Sequence, residues 1–414
     1  MLEYRNASLY CDDVELETIA RKVGTPCYVY SARAILAAYR AYDAAFGTLP
    51  HTVCYAVKAN SNLAVLALLA KAGAGFDIVS GGELFRVVRA GGDPRKVVFS
   101  GVGKTADEMS YALKLGIHSF NCESESELAL LNEIAGGLNK TARVALRVNP
   151  DVNAQTHPYI ATGLRDHKFG IDIGCAEEVY GRARELRNLR LESVSCHIGS
   201  QLLVTAPLLE AVDKVLALVV RLREQGHAVQ WVDLGGGIGV AYRASEQSPA
   251  VAAVIEAIRE RLARLGLSAM VEPGRSIVGA AGVLLSRVLF RKRSPSKEFV
   301  VVDAAMNDLI RPALYSAHHE IMPARQAPEP AATIVADVVG PVCETGDFLA
   351  RDRELPAVQP GDLIALCTAG AYGFAQASNY NSRPRAAEVL VDGAQWRIVR
   401  AREKWEDLVR GETV

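Results

Sequence analysis

Long apolar runs are missing from this chain: no stretch approaches the roughly 18 consecutive apolar residues that a membrane-spanning helix needs. The opening MLEYRNASLY also lacks the basic-then-apolar build of a secretory signal. An excess of charge of either sign is missing too. Lys and Arg total 46 against 47 Asp and Glu, a formal net charge of -1, which provides no field for attracting a nucleic acid or an anionic membrane surface. The eight cysteines include no CxxC pair and sit scattered through apolar stretches, which excludes a zinc ribbon or a disulfide framework and implies reduced thiols. There is no low-complexity linker and no charge block. These absences leave a cytoplasmic protein whose partner is a small molecule.

What is present is enough apolar material for two cores. Half of the 414 residues are hydrophobic, and single cores stop growing at roughly 250 to 300 residues. Between Thr52 and Arg275 the pattern alternates short runs with longer helix-periodic intervals. The runs are TVCYAVKA, GFDIVS, KVVFSG, HSFNC, RVALRVNP, ESVSCHIG, WVDLGG and SAMVEPG, eight in all, with helical periodicity in the seven intervals. NLAVLALLAKAG from Asn62 and PLLEAVDKVLALVVRLREQG from Pro207 each close on a glycine suited to a helix end. Eight such units predict an α/β fold, a closed (β/α)8 TIM-like barrel over residues 30–278. An open doubly wound sheet is the competitor, because GGGIG after WVDL imitates a dinucleotide loop. A dinucleotide loop belongs to the first strand with an acidic residue about 20 positions on, whereas this one follows the seventh.

After Gly279 the pattern becomes strands separated by turn residues: GVLLSRVLF, EFVVVDAAM, TIVADVVGPV, DLIALCTAG and AEVLVDGAQWRIVRA, with Asp392-Gly393 as a hairpin turn. Residues 279–414 therefore form a C-terminal β domain, a barrel or sandwich, to which residues 1–29 add through the strand-like CYVY.

Functional groups of such barrels gather at the C-terminal strand ends, and those ends are polar here. The first carries Lys58, the sixth His197, the seventh Gly235, Gly236 and Gly237, and the eighth Glu272. A lysine left unpaired in an apolar strand has a depressed pKa and a nucleophilic amine, as covalent carbonyl chemistry requires; its plain reading is a strand-end lysine reaching solvent. Three glycines at a strand-to-helix junction expose N–H groups suited to a phosphate, or make only a tight turn. Glu272 is either an ion-pair partner of Arg275 or the carboxylate that keeps a pyridine nitrogen protonated. His197 and Cys196, adjacent on a strand, point to opposite faces and do not share a metal; no metal site is expected. The remaining histidines, His318 and His319 included, show no ligand spacing and read as surface or structural residues.

YAVKANSN, GFDIVSGGEL, HPYIATGL, KFGID, CHIGSQ, VDLGGGIG, VEPGR, MNDLIRPALY, VCETGD and GAYGFAQASNYNSRPRAAEVLVDG follow in this order from Tyr55 to Gly393. The set resembles the motifs of the alanine-racemase-fold, pyridoxal-phosphate-dependent decarboxylases, and among them the branch that acts on diaminopimelate. His167 is the one departure, at a position where that family tolerates several residues. The resemblance implies that Lys58 carries pyridoxal 5'-phosphate covalently, that His197 stacks on its ring, and that Glu272 pairs with the ring nitrogen. Asp77 joins the cofactor site, and the phosphate is held by Ser200, Gly235, Gly236, Gly237, Gly274, Arg275 and Tyr372. It further implies Cys343 as proton donor and Glu344 as reader of the substrate's distal amine. Arg311 and Tyr315, one face of a helical turn, meet the distal carboxylate, with Arg275 and Tyr372 beside them. Without that context each of these polar residues is read as part of an ordinary surface ion pair. The resemblance also implies a homodimer with active sites shared across the interface.

Three rival functions remain open at this stage. Decarboxylases of ornithine, arginine or a carrier-linked amino acid share the fold but lack a second carboxylate for Arg311 to read. A racemase needs a second base opposite Lys58. A silent relative that only binds a partner would not need Lys58, Glu272 and Cys343 together.

Overall fold

Eight short runs of β-branched and apolar residues form eight parallel strands in the computed structural model, which describes residues 1–153, 168–327 and 332–414. They are β1 (His51–Ala56), β2 (Gly75–Ile78), β3 (Val97–Phe99), β4 (Ser119–Cys122), β5 (Ala142–Asn149), β6 (Leu189–Ser195), β7 (Trp231–Asp233) and β8 (Ser268–Val271). Each pairs in parallel with the next, and Val271 of β8 pairs with Val53 of β1, so the sheet closes as the eight sequence runs predict. The seven intervals hold α1 (Leu63–Lys71), α2 (Gly81–Arg89), α3 (Ala106–Leu115), α4 (Glu125–Gly137), α5 (Ala176–Ala183), α6 (Ala206–Glu224) and α7 (Val251–Leu265). Their starts are set locally. Asn62, Ser80 and Ser124 each accept a hydrogen bond from a first-turn N–H, and Thr105 with Glu108 makes a reciprocal capping box.

Strand side chains alternate between faces, so residues two apart share one. Cys54, Val98, Ala145, Trp231 and Met270, from five different strands, form one buried apolar cluster. Two residues further along, Val98 is followed by Ser100, Ala145 by Arg147, Trp231 by Asp233 and Met270 by Glu272. A closed apolar layer is therefore capped, toward the strands' C-terminal ends, by a polar one.

The chain divides into two compact units. One comprises Ala38–Val240 and Ser248–Ser276, the barrel; the other comprises Met1–Ala37, Ala241–Gln247 and Ile277–Val414. Residues 241–247 interrupt the barrel stretch in sequence yet cluster with the second unit, where the Tyr242 ring lies 5.4 Å from that of His319.

In the second unit a sheet runs in the order Phe348–Pro356, Thr333–Val339, Glu298–Val302, Gly282–Arg293, Cys27–Ser31, Ala387–Asp392, Gln395–Arg400. CYVY is the inserted strand: Val29 pairs with Val283 on one side and Val389 on the other, and all three face one apolar core. Among the strands after Gly279, Phe348–Pro356 and Ile321–Pro323 escape the periodicity reading, as do Leu2–Arg5, Ser8–Cys11 and Val14–Glu15 near the start of the sequence. Phe348–Pro356 carries the charged run RDRE, and Ile321–Pro323 is short. The hairpin turn is shifted by one residue from the expected Asp392-Gly393: Asp392 still pairs with Gln395, which leaves Gly393 and Ala394 as the turn. Gly393 takes φ 62° there, where a side chain is disfavoured.

Candidate active site

Lys58 lies just beyond β1, in a short 3-10 turn over Val57–Ala59. Its environment differs from the expected apolar wall. Lys58 Nζ sits 2.6 Å from Asp77 Oδ2 at the end of β2, with the lysine side chain 38% exposed and the aspartate fully buried. Reactivity through burial without a partner therefore does not describe this lysine: a buried carboxylate holds it in place. The other oxygen of Asp77 has no hydrogen-bond partner, an arrangement that a buried polar atom tolerates only at a cost.

β1 and β8 are neighbours, and the Ala56 N–H donates to the Pro273 carbonyl at 3.1 Å just past the strand ends. Lys58 and Glu272 thus stand at the same end of the cylinder on adjacent strands. Glu272 Oε1 accepts from Asn121 Nδ2 at 3.1 Å and from Ser100 Oγ at 3.2 Å. Burial, then the neighbouring charges of Asp233 and Asp77, push its carboxyl well above the usual carboxylate range. Sequence reading missed Asp233, Asn121, Ser100 and Arg147. For Ser100, Arg147 and Asp233 the signal was available, because each lies two residues past an apolar residue on the inner face of its strand; Asn121 follows Ser119 and carries no such mark.

The glycine loop does not open a helix. After β7 the chain turns through Gly235 and Gly237, at φ 62° and 110°, Ile238 bridges to Leu202, and the next helix begins only at Val251. Close packing is what demands glycine. A Cβ on Gly236 would lie 2.2 Å from the Glu272 carbonyl, one on Gly235 2.6 Å from the Cys196 carbonyl, and one on Gly237 2.4 Å from the Gly199 carbonyl. Gly274 is tight too, 3.0 Å from the Ala59 methyl. These glycines draw the ends of β6, β7 and β8 together into a tight cradle of bare backbone, which no Cβ could enter without striking a carbonyl or a methyl group.

His197 follows β6, and its Nδ1 accepts the Gly236 N–H at 3.3 Å, which leaves the ring proton on Nε2. Burial, reinforced by Arg147 and Lys58, lowers its pKa to about 3. The imidazole is therefore neutral at physiological pH. Below the free value near 6.5 the unfolded chain takes up a proton that the folded site refuses, so stability is lost as pH falls from about 6.5 toward about 3. The slope from this group is at most about 1.4 kcal/mol per pH unit. Urea midpoints measured at pH 7 and pH 5 are expected to differ less for His197→Asn than for the wild type. Equal differences would remove this residue from the account.

Arg147 is held by Glu123 at 2.8 Å, and Glu123 also accepts the N–H groups of Gly101 and Gly170. Ser200 Oγ accepts from Arg275 at 3.0 and 3.3 Å, with Arg275 buried. Cys196, beside His197, is buried and its thiol is pushed up to about 12 by desolvation, as expected of a packing residue.

The other sequence candidates fall in the second unit. Cys343 is exposed, and its N–H donates to Asn381 Oδ1 at 2.9 Å. Glu344 Oε2 accepts from the Tyr380 hydroxyl at 2.9 Å, so the CETGD and NYNSRPR loops are fastened to each other. Arg311 and Tyr315 open and close a five-residue helix. Arg311 is buried, stacks its guanidinium 4.6 Å over the Tyr242 ring and donates to His319 Nε2 at 2.8 Å, while His319 Nδ1 lies 2.8 Å from the Cys367 carbonyl. His319 is thus a buried structural residue. Tyr315 accepts from Gln376 at 3.1 Å, and Tyr372 takes the left-handed φ of 56°, a conformation that costs about 1 kcal/mol or more outside glycine. HPYIATGL and His167 lie outside the described residues.

A polar barrel mouth with a carboxylate-held lysine, a neutral histidine, a protonatable acid and a glycine cradle defines a class: the family described as "Pyridoxal-dependent decarboxylase, pyridoxal binding domain" matches residues 32–279. The chain belongs to it. Diaminopimelate decarboxylase of Pseudomonas aeruginosa is 57% identical over 99% of this chain and 98% of that one, and that of Aquifex aeolicus 48% over 99% and 96%. The structure of diaminopimelate decarboxylase from M. jannaschii in co-complex with L-lysine superposes with a TM-score of 0.95 at 39% identity, covering 100% of this chain and 98% of that one. Within the class, this chain is a member of the diaminopimelate decarboxylase family. Among the described residues no helix is long and apolar enough to cross a membrane.

Proposed function

We propose that this chain decarboxylates meso-2,6-diaminopimelate to L-lysine and CO2, using pyridoxal 5'-phosphate. One observation carries the reading: the Lys58–Asp77 pair and Glu272 stand on adjacent strands at the same barrel end as the glycine cradle. The unpartnered oxygen of Asp77 and the carboxyl of Glu272 fit a polar planar group, and the bare backbone that Gly235, Gly236 and Gly237 bring to the same strand ends supports the placement of its phosphate there. When bound, pyridoxal phosphate supplies an electron sink for the electron pair left behind as CO2 departs.

The chain's own groups do the rest. Lys58 would supply the amine for covalent attachment of the cofactor's aldehyde, and Asp77 orients that amine. His197, neutral because of its burial, would offer a ring face without adding a positive charge. Glu272 would answer the ring nitrogen. Gly235, Gly236 and Gly237, with Ser200, Gly274, Arg275 and Tyr372, would hold the phosphate. Arg311, Tyr315 and Glu344, with Arg275 and Tyr372, bind the far, zwitterionic end of the substrate, where charge-assisted hydrogen bonds discriminate strongly. Cys343 returns a proton to the carbon that has lost CO2.

With the purified protein, CO2 release is expected from meso-diaminopimelate and little from L-ornithine. Ornithine lacks the carboxylate that Arg311 and Tyr315 are proposed to bind, and sites built to bind a polar group reject analogues lacking it by about 10⁴-fold or more. A preference for ornithine would overturn the substrate assignment. We also propose a cytoplasmic homodimer with active sites shared between subunits; the eight free cysteines accord with a reducing compartment. Sedimentation at assay concentration is expected to give a dimer, and a fully active monomer would refute it.

A further inference from the structure

Behind Glu272 lies a second carboxyl group that the mechanism above does not use. Asp233 is the last residue of β7, fully buried, and lies two positions past Trp231 of the barrel's apolar layer. One amide ties it to Glu272: Asn121 Nδ2 lies 2.8 Å from Asp233 Oδ2 and 3.1 Å from Glu272 Oε1. The same nitrogen is 3.1 Å from Ser100 Oγ, which itself donates to Glu272 Oε1 at 3.2 Å. The other Asp233 oxygen accepts the Gly235 N–H at 3.0 Å. Glu272 is locked further by its own N–H, 2.6 Å from the Gly235 carbonyl. Two carboxyl groups thus stand side by side, sharing an amide that has two hydrogens for three acceptors.

Two ionised carboxylates so placed repel strongly in a dry site, and such pairs hold one proton between them. The surroundings do not relieve the repulsion. The ionisable groups that face the pair are Asp77 from β2, Lys58 beyond β1, Arg147 from β5, His197 beyond β6, and the buried thiols Cys54 and Cys196. Lys58 is already 2.6 Å from Asp77 and Arg147 2.8 Å from Glu123, His197 is neutral, and Asp77 adds a further negative charge.

We propose that Asp233 is a positioning residue that shares a single proton with Glu272 until a cofactor ring docks, so that the pair's second negative charge is released only toward the ring nitrogen. The inference rests on Glu272 being the ring nitrogen's partner. In the step itself the O–H bond of the shared proton breaks and its electron pair stays on the carboxylate. The proton passes to the ring nitrogen, or to solvent when that nitrogen arrives already protonated. Asp233 acts through Glu272 and touches no reacting atom.

The test uses the cofactor-free protein and pyridoxine 5'-phosphate, which lacks the aldehyde and cannot link to Lys58. Infrared difference spectra of the unliganded wild type against Asp233→Asn and against Glu272→Gln are expected to reveal a buried protonated carboxyl in the wild type alone. Its absence from the wild type, or its survival in both variants, overturns the shared proton. Ligand addition should abolish that band in the wild type, and the dissociation constant should fall with rising pH between 6 and 8. Per site, the wild-type slope is expected to exceed that of Asp233→Asn by up to one proton, or tenfold per pH unit. Equal slopes with the wild-type band untouched by ligand overturn the coupling to the ring. If Glu272→Gln binds the ligand as the wild type does, the ring-nitrogen reading of Glu272 fails and the coupling with it, while the unliganded spectra still decide whether the proton is shared.

Discussion

Lys58→Ala is expected to abolish both covalent cofactor retention and turnover. Lys58 is the lysine that Asp77 holds at 2.6 Å from a fully buried position, and covalent carbonyl catalysis depends on one placed amine. The purified variant should lack the visible absorbance of the lysine–cofactor linkage, which borohydride should bleach and fix in the wild type. CO2 release from diaminopimelate should drop by about 10⁴-fold or more, since well-placed covalent and positioning effects together are worth at least that much. The side chain is 38% exposed and leaves a short turn rather than a strand, but its loss strips buried Asp77 of its cation, so the variant is expected to fold with a lowered unfolding midpoint. Retention of CO2 release at the wild-type rate by a folded variant would end the assignment of Lys58.

Cys343→Ala should behave differently. Its thiol is exposed and its backbone is pinned to Asn381, so removing the sulfur perturbs neither fold nor cofactor retention. A lost proton donor costs about 10² to 10⁴-fold in turnover. The signature is a fall in kcat with the linkage absorbance intact, and a solvent isotope effect that changes as the reprotonating group is replaced. If kcat is unaffected while Tyr380→Phe, which frees Glu344, raises KM, the loop's role is confined to binding.

Much of this architecture was legible without coordinates because barrels are built from a repeating local pattern. Each short apolar run followed by a helix-periodic interval predicts one unit, and eight such runs predict closure. CYVY was recognisable as a strand from its aromatic and β-branched residues, while its place between the strands of Val283 and Val389 was decided by the tertiary structure. Motif order carried the candidate residues Lys58, His197, Glu272 and Cys343 as single positions. Their partners were not legible in the same way. Asp77 belongs to GFDIVS, yet nothing in the spacing of 19 residues announces that it holds Lys58. Asp233 looks like an ordinary strand residue until the two-residue alternation is carried through all strands together, and Asn121, which follows Ser119, looks like one even then.

By itself, then, the order of amino acids determined the fold class, the polar ends of the strands and the identity of the chemical groups, since periodicity, capping and residue type are local properties. Tertiary structure alone decided which groups are neighbours and what state they hold. It paired Lys58 with Asp77, set Asp233 against Glu272, and turned the three glycines from a presumed helix start into a packing seam. Such relations join residues far apart in the chain, 172 positions between Ser100 and Glu272. Charge state in a dry interior depends on distance and desolvation, which no linear spacing encodes.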